Sequence, residues 1–399
     1  MSVPTPQTPT SERPEREPRL PILALVLMAS SGFIIIMTET LPAGLLPELA
    51  SDLDVSAGAA GQLITAYALG TVLAAIPTIA TTRGVDRKPL LVVGLLGFLL
   101  ANLLTAIAPS LVVALVVRFI AGAFSGLVWG MLAGYARRVA APEQAGRAIA
   151  TAMAGTPVAL SIGTPLGAWV GSVVGWRWSF AGVSALTVIV VLLVLACVPN
   201  VAGQRSTDRL PLGRVFVIPG VAVVLGVVFV WMLAHNLLYS YIAPYLDVAG
   251  VELRPDLALF VFGIAALVGI WITGTLIDRA LRPLTLISTA AFVAVGALLL
   301  AAPASLSVTI VAIVLWGLAF GGSATQLQTA MGNAAEDSVD VANAMLTTVF
   351  NLAIFGGGAI GAILVDGNGP SALPIAMIAL SAVALTVVAL GRQRAFPSR

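Results

Sequence analysis

Apolar residues in this chain come in long blocks rather than in alternation. Ile22–Met37 is the first block, and runs near 20 residues recur to the end of the chain. A helix of about 20 residues spans about 30 Å, the thickness of bilayer hydrocarbon. A membrane β-barrel would show short alternating segments instead. The pattern predicts twelve spans, at about 20–47, 58–80, 89–108, 110–135, 147–173, 178–198, 215–244, 256–279, 283–302, 305–331, 340–364 and 371–391. The loops between them are short. The longest, about Pro199–Arg214, is polar and basic and lies halfway along.

Composition agrees with a membrane protein. Of 399 residues, 59% are hydrophobic and 10% are charged, with a mean hydropathy of +1.04. Soluble domains carry about 25% charged residues. Residues 1–19 contain five prolines and mix Glu with Arg, and are predicted to be disordered. The apolar run behind them is too long for a signal peptide.

Charge sets the topology. Of the 20 Lys and Arg residues, seventeen fall in the termini and on the same side of the membrane as the termini. Only Arg177 and Arg254 fall on the other side, and Arg118 lies inside a span. The positive-inside rule therefore predicts both termini in the cytoplasm. Nearly all basic residues are Arg, Lys88 being the lone lysine, which points to a GC-rich bacterial genome and a bacterial cytoplasmic membrane. The basic residues follow topology and form no nucleic-acid patch.

The two halves repeat at an offset of 194. Pro89 falls on Pro283, Ala108-Pro109 on Ala302-Pro303, and Ala140-Ala141 on Ala334-Ala335. Ala159, Gly163 and Gly167 fall on Ala353, Gly357 and Gly361. The expected fold is all-α, with twelve transmembrane helices in two pseudo-symmetric six-helix bundles, residues 20–198 and 215–391. A cytoplasmic linker 199–214 joins them and a tail 392–399 follows. Two parallel repeats describe a transporter that rocks around a central site.

Candidate chemistry is sparse, which narrows it. Cys197 is the single cysteine and reads as a small apolar packing residue; His235 is the single histidine. No metal cluster or cofactor motif is present, and no nucleophile–base constellation suggests an enzyme. Glu39, in Thr38-Glu39-Thr40, is the one acid well inside a span, roughly 10–15 Å below the outer end. An acid at that depth is costly and marks function. Arg118 enters its span at Ser110 and reaches a depth of about 12 Å, so the two charges are expected to be neighbours. Desolvation favours a protonated carboxyl and a nearby guanidinium favours an ionised one, so a movement between them would load or release a proton. His235 lies in the same layer and reads either as a relay or as a packed histidine. Thr38, Tyr67, Trp129, Asn236, Tyr239, Trp271, Gln326, Gln328 and Asn351 are candidate linings of a mostly apolar small-molecule cavity.

Two loops and one helix carry further motifs. Gly274-Thr275-Leu276-Ile277-Asp278-Arg279-Ala280-Leu281-Arg282 reads G-x-L-x-D-R-x-x-R between spans 8 and 9. Gly274 would let helices approach, and Asp278 could pair with Arg279 or Arg282 to hold one face shut. The first-half loop, with Asp86 and Arg87, keeps the charges but not the spacing. Span 5 carries Gly155, Ala159, Gly163, Gly167 and Gly171 at four-residue intervals, with Pro157 and Pro165 bending it. Trp176 and Trp178 read as an aromatic belt at the outer interface.

These motifs resemble those of the major facilitator superfamily, in its twelve-span drug:proton antiporter branch. The G-x-L-x-D-R-x-x-R loop, Arg118 with Gly122 in span 4, and Gly163-Thr164-Pro165-Leu166-Gly167 carry the resemblance, which covers about Leu20 to Arg392. So do the stretches from Thr38 to Pro47 and from Ala66 to Gly70. The antiporter motif departs in having Thr-Pro where the family prefers Gly-Pro. The resemblance implies a monomeric carrier exporting a drug, sugar or nucleoside against proton entry. An importing symporter or facilitator would share the fold and the embedded acid. A transport-dead sensor would need an output domain that the short loops do not hold.

Overall fold

The computed structural model describes residues 20–82, 84–203, 218–335, 339–391 and 395–396. The expected disordered segment 1–19, most of the linker and most of the C-terminal tail lie outside them. Regular structure among the described residues is helical. The first half contains α1 (Ile22–Gly44), α2 (Leu46–Asp52), α3 (Ala57–Thr82), α4 (Arg87–Ala106) and α5 (Leu111–Val139). It continues with α6 (Ala145–Met153), α7 (Gly155–Val158), a π-turn (Ala159–Gly163), α8 (Thr164–Val174) and α9 (Trp176–Cys197). The second half contains α10 (Val221–Ser240), α11 (Ile242–Val248), α12 (Pro255–Ala301) and α13 (Leu306–Gly321). It ends with α14 (Ser323–Ala335), α15 (Val339–Asn368) and α16 (Ala372–Leu390).

Eleven helical runs among the described residues are long and apolar enough to cross a membrane. One of them, α12, has 47 residues. It consists of two helices that meet at Ala280, which leaves helical geometry at φ −139°, ψ 28°. The part on each side of Ala280 has more than 20 residues, enough to cross the hydrocarbon once. The junction expected around Ala280–Arg282 is a sharp kink with no longer loop. Span 5 is segmented as its two prolines require. Pro165 withholds a backbone N–H, and the π-turn before it takes up the register change.

The repeat is visible in contacts as well as in letters. A Cβ on Gly122 would run into the Tyr67 carbonyl, and one on Gly126 would meet the Thr71 carbonyl. Their counterparts 195 residues on, Gly317 and Gly321, meet the Phe262 and Ala266 carbonyls in the same way. So α5 crosses α3, and α13 crosses α12, backbone against backbone. In lipid this is the main source of helix association, because hydrocarbon offers no hydrophobic gain between apolar helices. Two end clamps repeat too. Lys88 Nζ donates to the Leu195 carbonyl (2.7 Å), and Arg282 Nη2 donates to the Ala389 carbonyl (2.8 Å), each partner 194 residues on.

Within the first half α3 packs on α5, and α4 on α5 and α9; within the second, α12 packs on α13 and α16, and α10 on α15 and α16. Between halves, α3 meets α15, while α8 and the π-turn meet α12. Trp176 does not join an interfacial belt: it is buried and its indole N–H donates to Asp52 (3.2 Å), while Trp178 is exposed. Cys197, expected to be packed, is exposed at the end of α9.

Candidate functional site

The site is built around the last turns of α1. Pro42 has no N–H, so the Thr38 carbonyl one turn earlier loses its helical donor. In hydrocarbon an orphaned carbonyl is costly and must be satisfied from a neighbouring helix. Arg118 of α5 does this: Nη1 donates to the Thr38 carbonyl and Nη2 to the Glu39 carbonyl (3.2 Å). Its Nε donates to the Leu63 carbonyl of α3 (3.3 Å). The guanidinium is fully buried and lies 4.8 Å from the Tyr67 ring centroid and 5.9 Å from that of Phe180. Tyr67 in turn donates its hydroxyl to the Ile35 carbonyl (3.2 Å). Three carbonyls of α1 are thus held by side chains of α3 and α5.

Arg118 and Glu39 are neighbours, but not as the ion pair their charges suggest. Among the described residues the Glu39 carboxyl makes no ion pair and no hydrogen bond, and its residue is 7% exposed. Its charge acts on Arg118, on Tyr67 and, from the other half, on Tyr239. The guanidinium therefore supplies a positive potential while its donors are committed to main chain. The arrangement leaves the carboxyl able to exchange a proton without breaking a salt bridge.

The flanking threonines point to different partners. The Thr38 hydroxyl accepts from Asn102 Nδ2 of α4 (2.8 Å), inside the first half and away from the seam. The Thr40 hydroxyl lies 2.6 Å from that of Thr164 on α8, and donates to the Ile36 carbonyl (2.8 Å). Tyr239 of α10 brings its hydroxyl beside this threonine pair yet forms no hydrogen bond of good geometry there. The glycine face of α7, the π-turn and α8 receives α1. Gly155 meets the Ala29 carbonyl, Gly163 meets Phe33 and Met37, Gly167 meets Leu41, and Gly171 meets Leu45. On its far side Ser161 lies against Gly263 of α12. The segmented helix thus sits between the acid-bearing helix and the second half.

His235 is held differently. Its Nδ1 accepts from Trp316 Nε1 (3.2 Å), so that nitrogen carries no proton. Its ring stacks on Phe320 at 3.7 Å between centroids and lies 5.7 Å from Phe262, 5.4 Å from Trp316 and 5.2 Å from Tyr239. This is a buried aromatic cage inside the second half.

Other predicted residues are dispersed. Trp129 is half-buried against Gly32 of α1. Asn236 donates to the Met232 carbonyl of its own helix (2.8 Å) and packs on Gly357. Gln326 is buried and donates to Thr273 (3.4 Å) and Ser288 (3.2 Å), leaving Oε1 without a partner. Gln328 is exposed, and Asn351 donates to the Thr347 carbonyl of its own helix (3.0 Å). Trp271 is 69% exposed and continues the stripe Leu257, Phe260, Ile264 and Val268, so it faces lipid rather than a cavity.

The gating motifs also need correction. Nothing stands within 4 Å of a Cβ on Gly274, so no helix approaches there. Asp278 and Arg279 are exposed, and among the described residues Asp278 makes no ion pair. Arg282 is buried and donates to the Phe396 (3.1 Å) and Ala389 carbonyls, which anchors the C-terminal segment. In the first half Asp86 accepts from Asn200 Nδ2 (2.7 Å), and the Arg87 N–H donates to the Val201 carbonyl (2.8 Å). Both loops tie the ends of their own half.

Asn102 and the Phe262, Trp316 and Phe320 rings around His235 are not among the predicted residues, and Thr164 is among them only within the span-5 motif, not for its contact with Thr40. Asn102 was visible as a lone amide in an apolar span. The cage had no signal, because its phenylalanines and tryptophan look like any membrane-facing side chain. The family profile described as Major Facilitator Superfamily matches residues 28–358.

Proposed function

Since the chain belongs to the Major Facilitator Superfamily, and is a multi-pass membrane transporter, we propose that it is a proton-coupled exporter of a small organic molecule, with Glu39 as its proton carrier. In this reading twelve crossings form two six-helix bundles with both termini in the cytoplasm of a bacterial cell, and a single chain is the working unit. The bundles rock about the seam between α1 and α10, so Glu39 meets one side of the membrane and then the other. A proton taken from outside lowers the cost of exposing Glu39 to the closed, dry state. Its release inside resets the carrier, and the substrate moves outward in the complementary step. The resemblance to the antiporter branch favours a drug, sugar or nucleoside as cargo. The glycine-faced helix supports alternating access, because it couples α1 directly to α12.

One observation carries the reading: a buried carboxyl within a span, unpaired among the described residues, beside a guanidinium whose donors are committed to backbone. Glu39→Gln keeps shape and hydrogen bonding but cannot titrate. In proteoliposomes with an imposed pH gradient, the variant is expected to lose driven accumulation and to keep substrate binding. A thermal-shift screen supplies the substrate, since a ligand that binds only the folded state raises its apparent stability. Full driven accumulation by Glu39→Gln removes the assignment. Substrate entry into right-side-out vesicles along with protons would reverse the direction.

A further inference from the structure

The face that carries the α2–α3 loop is held shut by contacts no transport motif describes. Ser56 precedes α3 and caps it in the usual way, its Oγ accepting from the Ala59 N–H (3.0 Å). The acidic partner that often completes such a cap, three residues into the helix, is absent, since that position is Ala59. Asp366, 308 residues beyond Gly58 at the far end of α15, brings an acid to the same helix start from the other half, on different donors. Its Oδ1 accepts from the Gly58 N–H (3.1 Å) and its Oδ2 accepts from the Ser56 hydroxyl (2.7 Å). A side chain at Gly58 would strike this carboxylate. The negative group also complements the positive end of the α3 dipole.

Deeper in the same seam, Tyr241 of the second half inserts against Gly61 of the first. Its hydroxyl donates to the Gly358 carbonyl (2.8 Å), with the Gly58 carbonyl 3.5 Å away. The pseudo-symmetric position holds a weaker version. Arg254 precedes α12 as Ser56 precedes α3, and its Nη2 donates to Ser172 at the end of α8 (3.3 Å). Ser172 and Asp366 are 194 residues apart. Each half thus reaches across from the start of one helix to the end of a helix in the other.

We propose that Asp366 is the latch of an outer gate, a carboxylate that caps α3 in trans only while the two halves are closed on this face. It rests on the alternating-access reading, but not on Glu39, on a proton or on any substrate. Opening strips α3 of its cap partner and leaves Asp366 with water alone. Removing the carboxylate therefore shifts the resting population toward the outward-open state. The Arg254–Ser172 contact is longer, and Arg254 also pairs with Asp256 of its own helix, so it contributes less.

The experiment reads conformation without transport. In a Cys197→Ser background, Thr65→Cys places a thiol on α3 where Thr65 is buried against Gly358, below the latch. Right-side-out vesicles are treated with a membrane-impermeant maleimide. Asp366→Ala is expected to raise the labelling rate about tenfold, Ser56→Ala by less, and Ser172→Ala hardly at all. Adding Ser56→Ala to Asp366→Ala should change labelling little, since the only contact across the seam that Ser56 makes with Asp366 is already gone in Asp366→Ala. Unchanged labelling in folded Asp366→Ala overturns the latch. If that variant fails to fold, unchanged labelling in Ser56→Ala does the same. Loss of the Glu39 assignment would leave all of these results as expected.

Discussion

Glu39 lies six residues before the break in α1–α2 at Leu45, and His235 lies six residues before the break in α10–α11 at Tyr241. The backbone at the two breaks is nearly the same, φ −116° and ψ 12° against φ −120° and ψ 23°. The two residues are therefore repeat equivalents, 196 positions apart. Around the first are Arg118, Tyr67 and the carbonyls of α1; around the second are Phe262, Trp316 and Phe320. Where α5 carries Arg118, α13 carries Ile313, and where α5 carries Ala121, α13 carries Trp316. The repeat has kept the glycine crossings, the breaks and the end clamps. It has not kept the chemistry at the matching depth. One half holds a titratable group in an electrostatic frame, and the other holds an imidazole in an apolar one.

The widest separation between the halves should appear in driven transport. Glu39→Gln is expected to abolish accumulation under a pH gradient. His235→Phe keeps a ring in the cage and should leave accumulation within a few-fold, with a stability loss of about 1 kcal/mol from the unpartnered Trp316 N–H. Flux assays and thermal unfolding on the same preparations check both. A His235→Phe variant as dead as Glu39→Gln would mean that both repeats carry protons.

How much of this was legible follows from particular residues. Thr38-Glu39-Thr40 stood out because three polar residues interrupt an apolar run, and Arg118 was placed at the same depth by counting from Ser110. The form of their contact was not legible. It depends on Pro42 orphaning the Thr38 carbonyl and on which helix lies within reach, and the second is a tertiary fact. Gly274 misled because a glycine in a motif suggests close approach: Gly122, also in a motif, does meet backbone, Gly274 meets nothing, and Gly317 meets backbone with no motif to mark it. Trp271 misled for the same reason. An aromatic at span depth looks alike whether it turns inward or to lipid. Asp366 looked like an ordinary helix-end acid until the second half was set beside the first.

The frame around Glu39 makes a prediction that has no counterpart in the second half. Arg118→Leu leaves the Thr38 carbonyl buried without a donor and should cost about 2–3 kcal/mol, with loss of transport. Pro42→Ala restores the N–H that the helix lacks. In the double variant the stability cost of removing Arg118 should fall by at least about 1 kcal/mol. A double-mutant cycle in thermal or denaturant unfolding measures this. Strict additivity would show that Arg118 does not stand in for the missing helical bond.

The end clamps test the opposite side of the comparison, where the halves agree. Lys88→Met and Arg282→Met each remove a donor to an equivalent carbonyl, and each should destabilise by about 1 kcal/mol. Arg282→Met should cost somewhat more, because Arg282 also holds the Phe396 carbonyl and is the more buried. Unfolding midpoints for the two single variants are sufficient. A large loss from Lys88→Met alone would mean that the first-half clamp carries a role the repeat does not share.

The smallest effect belongs to an ion pair that only the first half has. Arg177 bonds Asp52 at the α2–α9 corner, and its guanidinium lies 4.4 Å from the Trp176 ring centroid. The residues 196 positions on from Asp52 and Arg177 are Val248 and Leu373, which cannot pair. Hydrogen bonding from Arg177 holds the Asp52 carboxyl below the usual carboxylate range. A carboxyl whose folded value is depressed stabilises the fold above its unfolded value, and that contribution fades as pH falls through the folded one. The parent should therefore exceed Arg177→Gln by a constant margin from about pH 5 to pH 8, and the margin should shrink below about pH 4. Both side chains are more than a third exposed, at 40% and 45%, so the margin should stay under about 1 kcal/mol and narrow further in high salt. Unfolding midpoints across pH and salt measure it. A margin that grows as pH falls, or that ignores salt, would show that Arg177 acts through its packing on Trp176 and not through its charge.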